Sequence, residues 1–334
     1  MRPPRLAVVA ALAALAFAAA GCSSDDDAPF DPTPASSPPA ARAVVPSVAP
    51  SVVPSVQPWA YQLQGEDGDT LDLAPLAAST FQLFVIDYSR DGSDEGAFSH
   101  AELTALQAGG RTVLAYLSIG EAESYRYYWD AEWESEPPSW LGPTNPAWEG
   151  NYKVRYWDGA WQEIVDGYLD RVVDAGFDGV YLDIIDAYEF FGPDGEMPER
   201  EDAAVQMLNL VARIAERARA ERPGFLVFPQ NGSGILDALT PAARELYLRT
   251  VDGIGAEDSF YFGDGDEDNP LDVQAETVEL LREFRDAGRL VLAVDYLTDE
   301  AKIADFCARA RNEGFVPLVT VRALDRAPEA CPAE

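Results

Sequence analysis

Carboxylic acids stand at or just past the ends of several apolar segments of strand length. In chain order these acids are Asp87, Glu121, Asp183, Glu257 and Asp295, with Asp186 three residues after Asp183. A single acid in such a place can serve as the N-cap of the next helix, but parallel strands bring all of these ends to one rim. Paired carboxylates on one rim predict hydrolysis of a glycosidic bond, in which one acid protonates the leaving oxygen and the other attacks or activates water.

The histidine content narrows the chemistry further. His100 is the single histidine, and it lies in a segment typical of a helix start. Ser-His-Asp hydrolysis and histidine-bound zinc both need imidazole at a defined place, so we expect carboxylate chemistry without a cofactor. Carboxylates can also bind Ca²⁺ or Mg²⁺. The acidic segment 264–269 resembles a calcium loop but lacks the glycine and the glutamate of that pattern, so no metal is expected.

The elements that must position these acids alternate along the chain. The predicted strands are 81–87, 112–117, 152–156, 179–183, 225–230, 253–257, 290–296 and 315–321. Helix-periodic segments lie between them, at 160–175, 201–221, 273–287 and 299–312. Gly176, Gly288 and Gly314 follow helices and precede strands, as left-handed C-cap glycines do. Residues 59–64 predict an extra strand or a plug at the bottom of the sheet.

This alternation is typical of an α/β protein with a parallel sheet covered by helices. An open doubly wound sheet is the alternative to a closed barrel, but no glycine-rich phosphate loop follows the first predicted strand. Residues 59–334 also match in length the ~250 residues of one (β/α)₈ barrel. A single (β/α)₈ TIM barrel over 59–334 is therefore predicted.

Two segments that cannot build a core precede the barrel. Residues 1–22 form a predicted signal peptide that ends in Ala19-Ala20-Gly21-Cys22, which resembles a lipobox, although a plain signal peptide is the alternative. Residues 23–58 are rich in Pro, Ser and Val and predict a disordered, semi-extended tether. We expect lipidation at Cys22 and an exported protein anchored in a membrane by that lipid alone, outside the cytoplasm.

The charge and the remaining cysteines carry two further expectations. With 24 basic and 58 acidic residues, the formal net charge is −34, which argues against nucleic acid as a partner. The acidic residues form either a solvated surface or a cleft that attracts a cationic substrate. Cys307 and Cys331 can pair in an oxidising compartment or remain free thiols.

Aromatic residues are concentrated between positions 125 and 161. They are Tyr125, Tyr127, Tyr128, Trp129, Trp133, Trp140, Trp148, Tyr152, Tyr156, Trp157 and Trp161. Flat aromatic faces can stack on sugar rings while a polar edge remains free. The alternative is that they fold a long loop onto the barrel rim. We expect both roles to be represented.

Several motifs resemble a known family in the order of the chain. They are 86–89 (Ile-Asp-Tyr-Ser), 115–123 (Ala-Tyr-Leu-Ser-Ile-Gly-Glu-Ala-Glu), 145–152, 156–158, 176–183 (Gly-Phe-Asp-Gly-Val-Tyr-Leu-Asp), 230–232 (Gln-Asn-Gly) and 256–258 (Ala-Glu-Asp). They resemble the endo-α-1,4-polygalactosaminidase-like proteins of glycoside hydrolase family 114. The resemblance implies a (β/α)₈ barrel that cleaves α-1,4-linked galactosamine polymers. It also implies Asp183 as nucleophile or base and Glu257 as general acid.

The implied polysaccharide substrate carries ammonium groups where it is de-N-acetylated. Asp87, Glu121, Asp186 and Asp295 are then expected to pair with these groups. Tyr88, Tyr181, Asn231 and Tyr296 complete the expected substrate-binding set. A carbohydrate-binding barrel without catalysis, displayed at the cell surface, is the alternative function.

Overall fold

The computed structural model describes residues 58–328 and 330–332. The predicted signal peptide with Cys22 lies outside the described residues, as does the tether up to residue 57. In chain order the strands are β1 (Trp59–Tyr61), β2 (Leu83–Ile86), β3 (Thr112–Ser118), β4 (Glu121–Glu123), β5 (Leu141–Thr144), β6 (Asn151–Val154), β7 (Gly179–Asp183), β8 (Leu226–Pro229), β9 (Gly253–Glu257), β10 (Leu290–Tyr296) and β11 (Val316–Thr320). The α-helices are α1 (Leu73–Ala78), α2 (His100–Leu106), α3 (Gly159–Ala175), α4 (Ala187–Phe191), α5 (Ala203–Glu221), α6 (Ile235–Ala238), α7 (Pro241–Thr250), α8 (Ala275–Asp286) and α9 (Glu300–Asn312).

Eight of these strands form a parallel ring. β1, β2, β3, β7 and β8 pair in that order, and β9, β10 and β11 pair in a second parallel set. A bridge between Gln230 and Gly255 joins β8 to β9. At the other junction Trp59 Nε1 donates to the carbonyl oxygen of Val316 over 3.0 Å. The predicted (β/α)₈ barrel is confirmed.

The predictions for residues 59–64 and for the third strand need correction. Residues 59–61 are barrel strand β1, with Trp59 opposite Leu83 in register, rather than an extra strand or a plug. The segment predicted as a strand at 152–156 lies outside the barrel. Its first part belongs to β6, which pairs antiparallel with β4 and β5 in a small separate sheet. The strand was mistaken because aromatic residues favour any pleated, half-buried surface.

Side chains of the barrel strands alternate between two apolar layers, as the pleat requires. One layer fills the barrel interior and includes Tyr61, Tyr116, Tyr181, Phe228 and Tyr296. The other lies between the strands and the surrounding helices. On β9 the inward positions Gly253 and Gly255 have no side chain. An added Cβ there would lie 2.1 Å from the Phe228 ring and 1.6 Å from the Tyr181 hydroxyl, respectively. These two glycines therefore make room for aromatic rings from neighbouring strands.

The helix ends follow the expected chemistry. Asp158 and Asp299 accept hydrogen bonds from backbone amides in the first turns of α3 and α9. The three predicted C-cap glycines, Gly176, Gly288 and Gly314, have φ values of 102°, 76° and 75°, so the left-handed cap is confirmed at each.

Cys307 of α9 forms a disulfide with Cys331 in the C-terminal tail. In the described part of the chain, no helix has the length and hydrophobicity needed to cross a bilayer.

Candidate active site

The two predicted catalytic acids lie at the ends of β7 and β9. Asp183 is two residues after Tyr181, and Glu257 is two residues after Gly255, so both belong to the inward-facing series of their strands. Both are half-buried, in contrast to the fully buried residues below them. The strands thus present both carboxyl groups at the C-terminal mouth of the barrel, where barrel enzymes have their active sites.

Asp183 is held by two hydrogen-bond donors. The Tyr116 hydroxyl donates to Oδ2 over 2.6 Å, and the backbone amide of Ile184 donates to Oδ1 over 2.8 Å. Tyr116 lies on β3, the strand next to β7, where its ring occupies the interior layer. These two hydrogen bonds therefore fix the orientation of the Asp183 carboxyl group.

Glu257 is also held through both oxygens. Asn231 Nδ2 donates to Oε2 over 2.8 Å, and the Tyr296 hydroxyl donates to Oε1. The backbone amide of Glu257 donates in turn to Asn231 Oδ1 over 3.0 Å. Side chains from the strands on either side of β9 thus orient the Glu257 carboxyl group.

The backbone turns sharply just after three adjacent strands. Ile184 after β7, Asn231 after β8 and Asp258 after β9 have φ values of 58°, 55° and 51°. Non-glycine residues rarely adopt this left-handed conformation, and it is most costly for a β-branched side chain such as isoleucine. Each strained residue also contacts the site, because Ile184 binds Asp183, Asn231 binds Glu257, and Asp258 follows Glu257 directly. Such strain is concentrated at functional sites in proteins.

The electrostatic environment couples the two acids. Burial raises the pKa of Asp183 well above its usual value, and the negative charge of Glu257 raises it further. The hydrogen bond from Tyr116 opposes this rise. Since a neighbouring negative charge disfavours ionisation, Asp183 retains its proton to higher pH than an isolated aspartic acid.

Asp186 is the predicted ammonium-binding acid that is available at the rim. It is half-buried, and its carboxylate forms no ion pair among the described residues. Burial raises its pKa to about 6, whereas the nearby Lys153 ammonium lowers it. Asn231, another predicted substrate contact, is likewise half-buried at the mouth.

Asp87 and Glu121 do not fit the predicted ammonium-binding role, because both are buried in internal ion pairs. Asp87 accepts two hydrogen bonds from Arg126 Nη1, over 2.8 and 2.6 Å. Glu121 is fully buried and binds Lys153 Nζ at 2.6 Å, together with the side-chain amides of Asn145 and Asn151. Their charges are already compensated inside the protein.

Asp295, Tyr88 and Tyr181 also lie away from the open mouth. Asp295 alternates with inward-facing Val294 and Tyr296, so its side chain faces the helical layer, where it accepts from the Tyr261 amide over 3.2 Å. The Tyr88 ring is buried, and its hydroxyl donates to Asp94 Oδ1 over 3.1 Å. Tyr181 lies beneath the acids inside the barrel. All three side chains are buried, which does not favour direct contact with a substrate.

The aromatic segment folds mainly on itself. Trp129 packs against Trp133, Trp133 against Trp140, and Trp140 against Trp161, with ring centroids 4.9 to 5.3 Å apart. Trp161 Nε1 donates to the carbonyl oxygen of Ile119 over 2.9 Å. This chain of contacts ties the small β4–β6 sheet to the barrel, as expected for loop-forming residues. Trp129, Trp133 and Trp157 remain half-buried.

Two residues of the site were not predicted. Tyr116, the donor to Asp183, stands two positions before Ser118 on β3, and the period-2 alternation places it inside the barrel. A buried tyrosine hydroxyl needs a partner, so this spacing was a usable signal. Arg126 comes from the loop after β4 and holds both Asp87 and Glu123. That loop has no regular periodicity from which the contact could be predicted.

Comparisons with known proteins agree with this architecture. The sequence profile of glycoside-hydrolase family GH114 matches residues 39–334. An uncharacterized protein of Methanocaldococcus jannaschii is 40% identical over 269 residues, which cover 78% of this chain and 74% of that protein. An uncharacterized protein of Deinococcus radiodurans is 36% identical over 297 residues, covering 88% of this chain and 90% of that protein.

Two solved structures have the same fold. One is Ega3 of Aspergillus fumigatus in complex with galactosamine, with a TM-score of 0.60 and 18% identity, covering 82% of this chain and 94% of that chain. The other is the glycoside hydrolase domain of PelA from Pseudomonas aeruginosa, with a TM-score of 0.59 and 21% identity, covering 81% and 97%. On the profile match across most of its length, the chain belongs to glycoside-hydrolase family GH114 and is a glycoside hydrolase.

Proposed function

We propose that this protein is an exported, lipid-anchored, endo-acting hydrolase of α-1,4-linked galactosamine polymers. Its proposed catalytic acids are Asp183 and Glu257. The observation that carries the proposal is their placement at the mouth of one barrel, on inward faces of β7 and β9, with every carboxyl oxygen oriented by a donor. Glycoside hydrolysis needs two carboxyl groups fixed on opposite sides of one bond.

The proposed reaction divides the work between the two acids. Glu257 protonates the glycosidic oxygen as the bond to the anomeric carbon breaks. Asp183 either attacks that carbon or removes a proton from the water that does so. The hydrogen bonds from the Tyr116 hydroxyl and the Ile184 amide lower the pKa of Asp183 and so favour the ionised form that a nucleophile or base needs.

The substrate class is supported by charge and by similarity of fold. Asp186 offers a carboxylate at the rim without a partner in the described part of the chain, and the protein as a whole carries a net charge of −34. Ammonium groups on de-N-acetylated sugars would be attracted by both. Ega3, which shares the fold, was determined in complex with galactosamine.

The proposed location depends on the sequence before the barrel. The apolar segment that ends in Cys22 and the proline-rich tether support export, lipidation and anchoring at the cell envelope. Mass spectrometry of the membrane-extracted protein is expected to detect a lipid on an N-terminal Cys22. Recovery of a Cys22→Ser variant in the same lipid-bearing form would contradict the anchor.

A substrate panel tests the activity. Purified protein is incubated with α-1,4-galactosamine oligomers, their fully N-acetylated forms and β-1,4-glucosamine oligomers, and the products are separated by mass. We expect internal cleavage of the first substrate and at least about tenfold lower kcat/KM on the other two. Binding of the first substrate without cleavage would support a carbohydrate-binding barrel instead.

A further inference from the structure

Each proposed catalytic acid accepts a hydrogen bond from a tyrosine hydroxyl on a neighbouring strand. Tyr116 on β3 donates to Asp183 over 2.6 Å, and Tyr296 on β10 donates to Glu257. Both rings belong to the interior layer of the barrel and are almost fully buried. The two contacts are equivalent in chemistry although they come from different parts of the chain.

Each of these tyrosine rings also lies beside a buried arginine. The guanidinium carbon of Arg322 lies 4.1 Å from the centroid of the Tyr296 ring. That of Arg126 lies 5.9 Å from the centroid of the Tyr116 ring. Arginine over an aromatic face is attracted by the ring electrons. Arg322 therefore packs closely on Tyr296, whereas Arg126 contacts Tyr116 together with the rings of Tyr125 and Tyr168, at 4.8 and 5.6 Å.

Buried carboxylates in turn hold the arginines. Arg322 forms a bidentate pair with Asp258, at 2.8 and 2.9 Å. Arg126 binds Asp87 at 2.6 Å and Glu123 at 2.7 Å. All of these side chains are nearly inaccessible to solvent. Charge-assisted hydrogen bonds between a guanidinium and a carboxylate have a specific geometry. Removal of one partner would leave the other as an unpaired buried charge.

We propose that Tyr116 and Tyr296 are positioning residues, one for each catalytic acid, and that Arg126 and Arg322 fix them in place. The proposal rests on the proposed function, because it assigns catalysis to Asp183 and Glu257. It gives Asp87 a structural role in the site, through Arg126 and Tyr116, in place of substrate binding. It gives Asp258 the same role through Arg322 and Tyr296.

The protonation states agree with donation by both hydroxyls. Burial and the nearby carboxylates raise the pKa of Tyr116 and of Tyr296 well above the usual value. Each phenol therefore keeps its proton throughout the working pH range and can donate it to a carboxylate. A donated hydrogen bond both orients the acceptor and favours its ionised form.

The test compares Tyr116→Phe and Tyr296→Phe with Tyr156→Phe. Tyr156 is equally buried, and its hydroxyl donates to the carbonyl oxygen of Ala203 over 2.9 Å, away from the proposed acids. On α-1,4-galactosamine oligomers we expect both site variants to lose about 10- to 100-fold in kcat with little change in KM, because acids that are misoriented by a fraction of an ångström react slowly. The Tyr156→Phe control should retain the wild-type kcat.

The pH dependence of kcat/KM is a second measurement, and a purely structural role of Tyr116 would leave it unchanged. The hydrogen bond from Tyr116 lowers the pKa of Asp183, so its loss in Tyr116→Phe should shift the limb of kcat/KM governed by Asp183 to higher pH. Site variants that match the Tyr156→Phe control in kcat and pH profile would overturn the positioning proposal. If Asp183→Asn and Glu257→Gln themselves remain active, the proposed function fails instead.

A second variant covers the case in which a phenylalanine variant does not fold. Arg322→Lys keeps the positive charge but loses the planar fork that binds Asp258. We expect lower kcat at unchanged KM, since Tyr296 would be less constrained. Wild-type kcat in a folded Arg322→Lys protein would contradict the role assigned to Arg322.

Discussion

Asn231 and Glu257 are joined by two hydrogen bonds that run in opposite directions. The Asn231 side-chain nitrogen donates to the Glu257 carboxylate over 2.8 Å, and the Glu257 backbone amide donates to the Asn231 side-chain oxygen over 3.0 Å. Asn231 adopts the left-handed backbone conformation that makes this possible, which asparagine tolerates better than most residues. The end of β8 therefore fixes both the backbone and the side chain of Glu257.

Removal of this double contact should impair catalysis more than stability. We expect Asn231→Ala to lower kcat by about 10- to 100-fold, because the Glu257 carboxyl loses its orientation. Steady-state kinetics on α-1,4-galactosamine oligomers measure the change, with Asn312→Ala as a control at an exposed position. Wild-type kcat in Asn231→Ala would show that Glu257 needs no orientation from Asn231.

The raised pKa of Asp183 predicts a trade-off between activity and stability. A carboxyl group with a raised folded-state pKa contributes stability below its unfolded pKa of about 4 and loses that contribution as the pH rises through the folded pKa. Asp183→Asn resembles the protonated form. We therefore expect this variant to unfold a few degrees above wild type at neutral pH, with a smaller difference in acid.

Thermal unfolding followed by circular dichroism at two pH values measures this effect. Asp305→Asn is the matched control, because the pKa of Asp305 is shifted in the opposite direction to that of Asp183. The Asp305 carboxylate binds Arg309, and this hydrogen bond lowers its pKa, so its amide variant should be no more stable than wild type at neutral pH. An Asp183→Asn protein less stable than wild type at neutral pH would contradict the cost of burying this charge.

Asp186 predicts a pH dependence of substrate binding. Its pKa is raised to about 6 by burial, so its carboxylate is mostly ionised above that pH and mostly neutral below it. We expect KM for cationic galactosamine oligomers to fall by about tenfold as the pH rises through this range. In Asp186→Asn the KM should be higher and nearly independent of pH. An unchanged pH dependence in that variant would exclude Asp186 from ammonium binding.

The glycine at position 255 predicts a strong packing constraint beneath the site. A Cβ at Gly255 would lie 1.6 Å from the Tyr181 hydroxyl and 2.3 Å from the adjacent ring carbon. Gly255→Ala should thus destabilise the barrel by about 3 kcal/mol or more. Gly159→Ala is the control, because a Cβ there meets nothing within 4 Å. Denaturant unfolding compares the two, and equal stabilities would contradict the close packing of Tyr181.

Regular alternation explains which parts of the fold and site were predictable. Asp183 and Glu257 each end a clear apolar strand, and period-2 spacing places them at the barrel mouth. β1 was misplaced because it has only three residues after a proline-rich segment. The ion pairs of Asp87 and Glu121 could not be predicted, because their partners, Arg126 and Lys153, come from the insertion between β3 and α3. The folding of that insertion depends on long-range contacts that no local pattern encodes.

The rate of bond cleavage in carboxamide variants tests the central claim most directly. Reducing ends released from α-1,4-galactosamine oligomers are measured for wild type, Asp183→Asn, Glu257→Gln and the control Glu199→Gln, whose native glutamate pairs with Arg155 outside the site. We expect each of the first two variants to lose at least about 100-fold in kcat, while the control retains the wild-type rate. Turnover at the wild-type rate by either Asp183→Asn or Glu257→Gln would contradict catalysis by this pair.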